Sequence, residues 1–145
     1  MNAFTSLLNG HPLVFFHLLS AAGALALGIV ILSRRKGTRS HRALGWGWVL
    51  LMSIATITSA FLNNSTIPHP TRLPNIAGFT PIHAFTALVS VQLPRAILAI
   101  KRGNVSAHQR AMKGIFIGGC VVAGLFTLLP GRFLGHLLWH SIGLA

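Results

Sequence analysis

Four long apolar runs, each bounded by polar segments, dominate the pattern of the chain. They cover roughly residues 12–33, 41–62, 80–100 and 107–129. Each run is long enough to cross the ~30 Å hydrocarbon core of a bilayer as a helix, which takes about 20 residues. None alternates apolar and polar positions as the strands of a membrane barrel do. Because a helix satisfies its own backbone hydrogen bonds in lipid, the pattern predicts an all-α membrane protein with four transmembrane helices.

Two short segments, KGTRSH at 36–41 and RGNVSAH at 102–108, connect the first run to the second and the third to the fourth. Such short connections make neighbouring helices antiparallel, so we expect a bundle of two similar helical hairpins. Gly37 and Gly103 are predicted to take the left-handed C′ position after a helix. The expected caps of the following helices are Thr38 or Ser40, and Asn104 or Ser106.

The remaining segments complete one integral membrane domain, residues 1–145. Residues 63–79 are rich in proline and polar side chains, which is typical of a loop. Residues 130–145 are apolar but too short to span, so we expect an interfacial tail anchored by Trp139. The first apolar run follows a segment without basic residues, so we expect it to be retained as a helix rather than cleaved as a signal peptide.

Charge is scarce and has one sign. The chain has 12 Lys and Arg but no Asp or Glu, a formal net charge of +12, and only 8% charged residues. Most cations flank the two short loops: Arg34, Arg35, Lys36, Arg39, Arg42, Arg95, Lys101, Arg102, Arg110 and Lys113. The positive-inside rule then puts these loops in the cytoplasm and both termini outside, in a multi-pass protein of the bacterial inner membrane. This distribution favours membrane lipids over nucleic acid as the partner.

Four of the eight histidines occupy matching places in the two predicted hairpins. His17 and His83 lie one to two turns in from the outer ends of their helices, and His41 and His108 lie at the inner ends of theirs. At 1.5 Å per residue, the two levels are roughly 20–25 Å apart. Titratable groups within a span indicate function, and two neutral imidazoles from facing helices suit a six-coordinate haem iron. We therefore predict one or two haem b groups, with His17 and His83, and His41 and His108, as axial ligands.

Other residues fit the same prediction. Ala21, Gly45 and Ala87 each follow a predicted ligand by four positions, which would place small side chains beside a macrocycle. Each ligand is expected to hold its other ring nitrogen on a backbone carbonyl or a hydroxyl. The cations predicted to meet the haem propionates are Arg42, Arg95, Arg110 and Lys113 inside, and Arg72 or Arg132 outside.

Simpler interpretations stand beside this one. His41 and His108, at helix ends among arginines, would then contact only lipid phosphates, and His17 and His83 would form only hydrogen bonds between helices. His136 and His140 have metal-ligand spacing, with His11 or His69 as further ligands, but also suit an interface that binds nothing. Acid–base chemistry by paired carboxylates is excluded because the chain has none. The single cysteine, Cys120, is expected to be a small buried hydrophobe.

The segments KGTRSHRALGWGWVLLM, RGNVSAHQRAM and AGLFTLLPGR resemble an uncharacterised bacterial membrane family known as domain of unknown function 2306. The resemblance covers nearly the whole chain and implies a four-helix membrane protein without an established activity. A more distant architectural likeness is to the cytochrome b561-type proteins, which hold two b haems in a four-helix core. That likeness implies that the first and third helices share the outer haem and that the second and fourth share the inner one.

The leading hypothesis is therefore a small dihaem membrane cytochrome that carries electrons across the membrane. It would be an electron-transfer protein rather than a stand-alone enzyme, working with a quinone or other redox partner or as a subunit of a larger complex. The alternative is a haem-free scaffold subunit that packs against a larger complex and binds lipid. A third hypothesis is a small transporter, which the lack of matching broken helices disfavours although Pro94 lies in the third run.

Overall fold

A computed structural model describes residues 10–62, 83–129 and 134–135. Within these ranges the chain forms helices α1 (Pro12–Ser33), α2 (Arg39–Phe61), α3 (His83–Lys101) and α4 (Val105–Thr127), and no strand. Each of the four is long and apolar enough to cross a membrane. The predicted all-α architecture with four spans is confirmed, and the observed helix ends lie within a few residues of the predicted ones.

Several predictions concern residues outside the described ranges. These are the loop at 63–79, the cations Arg72 and Arg132, the anchor Trp139, and His69, His136 and His140. The orientation of the termini also remains a prediction. The described fold is therefore that of the four spans and the two short turns. The end of the bundle that carries the two turns is called the inner end, and the opposite end the outer end, after the predicted orientation.

The four helices form a closed ring. In the described residues α1 packs on α2, α2 on α3 and α3 on α4, and the middle of α4 returns to contact α1. This order makes α1 and α3 diagonal partners, and likewise α2 and α4. The helices contact each other most extensively within the two predicted hairpins, α1–α2 and α3–α4. Short connections between antiparallel helices lead to this arrangement.

A small apolar layer fills the centre of the ring. Its buried members are Ala24, Trp48, Met52, Val89, Leu93, Ala96, Ile115 and Cys120. The Trp48 indole donates a hydrogen bond of 2.8 Å to the Ala24 carbonyl, which satisfies the polar atom of a large side chain in a dry environment. Cys120 is buried and its Sγ lies 3.5 Å from Met52 Sδ, in accord with a packing role.

Gly28 allows the closest approach within this layer. A Cβ at Gly28 would lie 2.5 Å from Phe116 Cε2 and 2.9 Å from Trp48 Nε1. Real side-chain carbons do not approach so closely, so α1 must carry a glycine where the Phe116 ring and the Trp48 indole cross it. Small residues let membrane helices pack backbone to side chain in this way.

The turn between α3 and α4 ends its helix as predicted. Gly103 is left-handed with φ of 75°, and its N–H donates to the Ile100 carbonyl at 3.0 Å while the Asn104 N–H donates to Ala99 at 2.9 Å. These two bonds make a Schellman motif. Asn104 then caps α4, because its side chain accepts from the Ala107 N–H at 2.9 Å.

The turn between α1 and α2 differs in one respect. Thr38 caps α2 by accepting from the His41 N–H at 3.1 Å, and Gly37 is left-handed with φ of 83°, as predicted. However, Gly37 is not the C′ residue of α1. The helix already ends at the extended residue Arg34, and Lys36 Nζ donates back to the Leu32 carbonyl, so a side chain caps this helix end.

The middle of α4 is a π-helix. α-Helical residues Val105–Ile115 lead into π-helical residues Phe116–Val122, and Ala123–Thr127 are α-helical again. The wider coil carries Gly118 and Gly119, which face Leu88 and Val89 of α3: a Cβ would lie 3.3 Å from the Leu88 side chain and 2.8 Å from that of Val89, respectively. π-Helical turns are rare in proteins, and those that occur are often found at functional sites. In this protein the π-helical segment packs against both α1 and α3.

Candidate functional site

His17 of α1 is held by the outer half of α2. Its Nδ1 lies 3.0 Å from the Ala55 carbonyl oxygen and 3.1 Å from Thr58 Oγ1. Because a carbonyl only accepts hydrogen bonds, the proton of the neutral ring lies on Nδ1 and the lone pair on Nε2. A ligating histidine is usually oriented in this way, with the other ring nitrogen on a carbonyl or hydroxyl.

His83 begins α3 and is held at the outer end of α2 as well. Its Nε2 lies 2.8 Å from the Leu62 carbonyl oxygen. A ligand role in this rotamer would use Nδ1, or the ring would have to turn over and release Leu62. Next to it, Ser59 of α2 and Thr86 of α3 share a hydrogen bond of 2.8 Å between their hydroxyls. The outer level is therefore a polar zone inside the spans, arranged around the last two turns of α2.

His108 of α4 is held by α3 at the inner level. Its Nδ1 lies 2.9 Å from the carbonyl oxygen of Ala96, a residue with 0% exposure. By the same reasoning the proton lies on Nδ1 and the lone pair on Nε2. His108 follows the Asn104 cap by four residues, so the turn geometry fixes where this ring enters the bundle.

His41 of α2 is the exception. Its Nδ1 is buried and has no hydrogen-bond partner within the part of the chain that the structure describes. His41 lies within electrostatic range of His108 and of Lys36. A buried polar atom without a partner is costly and calls for an explanation such as an absent water, ion or ligand. The inner level thus contains a buried nitrogen without a hydrogen-bond partner in the described residues, and the outer level contains none.

The central apolar layer separates the two levels. Along α2, Trp48 and Met52 of that layer lie between His41 and Thr58, and the rise from His41 to Thr58 is about 25 Å. The structure therefore places two of the four predicted histidines toward each end of the bundle, and the two at each end belong to diagonal helices. Whether they bind iron stays a prediction.

The small residues of the helices that carry the histidines divide into two groups. Gly118 and Gly119 are used in packing against α3, whereas Cβ atoms added at Gly45, Gly114 or Gly124 would meet nothing within 4 Å. Ala21 is partly exposed and Ala87 is exposed. Gly45, four residues after His41, is thus the predicted neighbour with open space beside a candidate ligand.

The predicted propionate partners that the structure describes lie in the inner half. Arg42, Arg95, Arg110 and Lys113 are exposed, and Arg42 directly follows His41. These cations lie too far from the outer level to serve it, because the bundle length separates them. The corresponding outer cation, Arg132, lies outside the described residues.

The family model described as "Predicted membrane protein (DUF2306)" matches residues 14–136 of the chain. The chain belongs to this family. The match includes all four histidines and both inner turns of this DUF2306 protein, so the resemblance inferred from the sequence is confirmed. No curated protein and no solved structure matches the chain. The likeness to the cytochrome b561 type therefore remains a hypothesis about architecture.

Metal ligation in this DUF2306 protein would depend on pairs of side chains. In residues 10–62, 83–129 and 134–135, no three His, Cys, Asp or Glu side chains lie close enough to hold a metal ion. A haem iron takes four of its six ligands from the porphyrin and needs only two from the protein. The donor set is consistent with haem and gives no support to a zinc or copper site within these ranges.

Sequence reasoning missed the residues that orient the rings. The carbonyl groups of Ala55, Leu62 and Ala96 accept hydrogen bonds from histidines of neighbouring helices. Every residue has a backbone carbonyl, so the residue type does not predict such a contact. Thr58 was detectable in principle, since a hydroxyl on the predicted second span, near the depth of His17, is a candidate partner. The rotation of each helix about its axis decides these contacts.

Proposed function

We propose that this DUF2306 protein is a small b-type cytochrome that holds up to two bis-histidine haems and carries electrons across the bacterial inner membrane. His17 and His83 would be the axial ligands at the outer level, and His41 and His108 at the inner level. The observation that mainly supports the proposal is that three of the four histidines, on diagonal helices at each end of the bundle, have one ring nitrogen on a backbone carbonyl.

The chain's own residues would act by orientation and by exclusion of water. The carbonyls of Ala55 and Ala96 keep the Nε2 lone pairs of His17 and His108 available. Buried Nδ1 of His41 would gain the partner that it lacks, directly or after rotation of the ring. When bound, each haem would supply a one-electron couple whose potential depends on the ligands and on burial.

The rest of the molecule suits a carrier better than an enzyme. The chain has no Asp or Glu, so its histidines are its main groups for proton transfer near neutral pH. The layer between the two levels consists of buried apolar side chains. Electrons would enter and leave at the two ends of the bundle, from a quinol or from another subunit. The exposed cations Arg42 and Lys113 supply positive charge near the inner level.

The decisive experiment is haem quantification on the purified protein in mild detergent. We expect a Soret band, a split α band on reduction, and a pyridine haemochrome assay that gives one or two haems per chain. His17→Ala and His83→Ala should each remove the outer haem, and His41→Ala and His108→Ala the inner one. His11→Ala is the matched control, because His11 lies at the N-cap of α1 and its side chain makes no cap hydrogen bond; its haem content should equal that of the wild type.

The alternative makes the opposite prediction. A haem-free scaffold subunit would be monodisperse and colourless, would co-purify with a larger membrane complex, and would tolerate each single histidine substitution. A folded sample from a haem-replete host with no haemochrome would therefore exclude the cytochrome and leave the scaffold.

A further inference from the structure

Arg95 of α3 and Arg110 of α4 lie at the same depth on adjacent antiparallel helices. The contact of Leu88 with Gly118 provides the reference, because a Cβ at Gly118 would lie 3.3 Å from Leu88 Cδ2. From that contact, seven residues along α3 lead to Arg95, and eight residues back along α4 lead to Arg110. Both paths run about 11 Å toward the inner end of the bundle. The two arginines are therefore level with each other.

Both arginines lie on the exposed side of the α3–α4 pair. Arg95 follows Leu88 by seven residues, so both lie on the same face of α3. Arg110 and Gly114 are spaced by four within the α-helical part of α4, so they are neighbours along one exposed side of that helix. Because Leu88 lies against Gly118 and Ala96 lies against His108, Arg95 lies beside α4 at the level of Arg110.

Neither guanidinium is used inside the protein. Both side chains are exposed, and neither donates a hydrogen bond within the described residues. The chain has no Asp or Glu, so no side-chain carboxylate is available to either. Both lie within helices that span the membrane, about 8 Å in from the inner helix ends. Charges at this depth on the lipid-facing surface need an anionic partner from the membrane.

The groove beside them is open. A Cβ at Gly114, four residues after Arg110, would meet nothing within 4 Å. Lys113 lies next to it and adds a third exposed cation. An open apolar groove under a pair of guanidiniums suits an amphiphile with an anionic head and an apolar tail. It suits a haem propionate less well, because the candidate ligand His108 lies on the inner side of α4, against Ala96.

From this geometry we infer that Arg95 and Arg110 form a binding site for the phosphate of an anionic phospholipid, whose acyl chain lies along the α3–α4 groove past Gly114. Two guanidiniums at one level bind a phosphodiester with paired, charge-assisted hydrogen bonds. The inference replaces the predicted propionate role of Arg95 and Arg110, and it does not require that haem is bound.

Native mass spectrometry of the protein in mild detergent tests the site. With equal amounts of phosphatidylglycerol and phosphatidylcholine, we expect the wild type to retain the former preferentially. R95Q/R110Q should lower retained phosphatidylglycerol about tenfold or more. K101Q/R102Q removes the same charge from exposed positions at the end of the same hairpin and should retain most of it. Equal losses in both double variants would overturn the site, as would equal retention of the two lipids by the wild type.

A second pair of variants changes no charge. Gly114→Leu should fill the groove and lower phosphatidylglycerol retention severalfold, whereas Gly124→Leu, at another open position of α4, should not. Unchanged retention in Gly114→Leu would overturn the groove as the lipid's place. Inorganic phosphate and polyglutamate at equal charge should fail to displace the lipid. Displacement by phosphate would indicate a free-anion site, and displacement by polyglutamate a surface for an acidic protein; either result would overturn the inference.

Discussion

The two histidine levels differ in how completely their hydrogen bonds are satisfied. At the outer level, His17 and His83 both bond to the last turns of α2, and Ser59 bonds to Thr86 beside them. At the inner level, His108 bonds to Ala96, but the buried Nδ1 of His41 has no partner in the described residues. The outer level is closed by the protein alone, whereas the inner level is not.

This difference predicts different contributions of the two levels to stability. Where every polar atom has a partner, the hydrogen bonds fix helix rotation and contribute to stability. Where a buried nitrogen lacks one, the protein is less stable than it would be with an apolar side chain there. We therefore expect substitutions of His17 and of His41 to change the stability of the haem-free protein in different directions.

The largest expected effect comes from the layer that keeps the levels apart. Gly28→Leu would place side-chain atoms where the Phe116 ring and the Trp48 indole lie. We expect a loss of about 3 kcal/mol or more of unfolding free energy, because overpacking is added to the loss of the Trp48 hydrogen bond. Fluorescence-detected size-exclusion chromatography after heating should show little remaining folded protein.

Gly124→Leu is the matched control for that variant. It makes the same substitution on α4 at a position with nothing within 4 Å of an added Cβ, so its melting temperature should stay close to that of the wild type. If Gly28→Leu melts like Gly124→Leu, the central layer does not hold the two levels apart.

His17→Leu tests whether the outer level is closed by its own bonds. In haem-free protein this variant loses the contacts of Nδ1 with Ala55 and Thr58. We expect a decrease of about 1–2 kcal/mol in the free energy of unfolding, measured by steric-trap or denaturant titration in detergent. His11→Leu should change it little. A His17→Leu protein as stable as the wild type would show that these contacts do not stabilise the outer level.

His41→Leu should change the free energy of unfolding in the opposite direction, and by the smallest amount. In haem-free protein it removes a buried nitrogen without a partner, so we expect stability to stay equal or rise by up to about 1 kcal/mol. His108→Leu, which gives up the bond to Ala96, should lower it in the same titration. Destabilisation by His41→Leu as large as that by His108→Leu would contradict the contrast between the levels.

Much of this fold could be predicted because lipid imposes strict demands on sequence. Apolar length fixes the spans, so the predicted run at 12–33 matches α1 (Pro12–Ser33). Turn chemistry is similarly local: Thr38, Asn104 and Gly103 act where their residue types predict. Histidine depth follows from counting residues along a helix, and this count places His17 and His108 at opposite ends.

The rest depends on contacts between helices, which local sequence does not encode. Gly37 was misplaced as a C′ residue because α1 ends at Ser33, followed by extended Arg34, and the Lys36 side chain caps the last turn. The ring partners were missed because backbone carbonyls have no residue signature. Which nitrogen of His83 faces Leu62, and whether His41 finds a partner, depend on helix rotation and side-chain packing.

The π-helical segment Phe116–Val122 has a consequence for comparing relatives of this protein. A π-turn changes the angular phase of the residues that follow, so the face that α4 presents to α3 before Phe116 is not continued by ordinary 3.6-residue counting after it. A relative with one residue more or fewer in this stretch would have a helix of almost the same length. The side chains that follow the π-helical segment would nevertheless point in a different direction and contact other residues of the bundle.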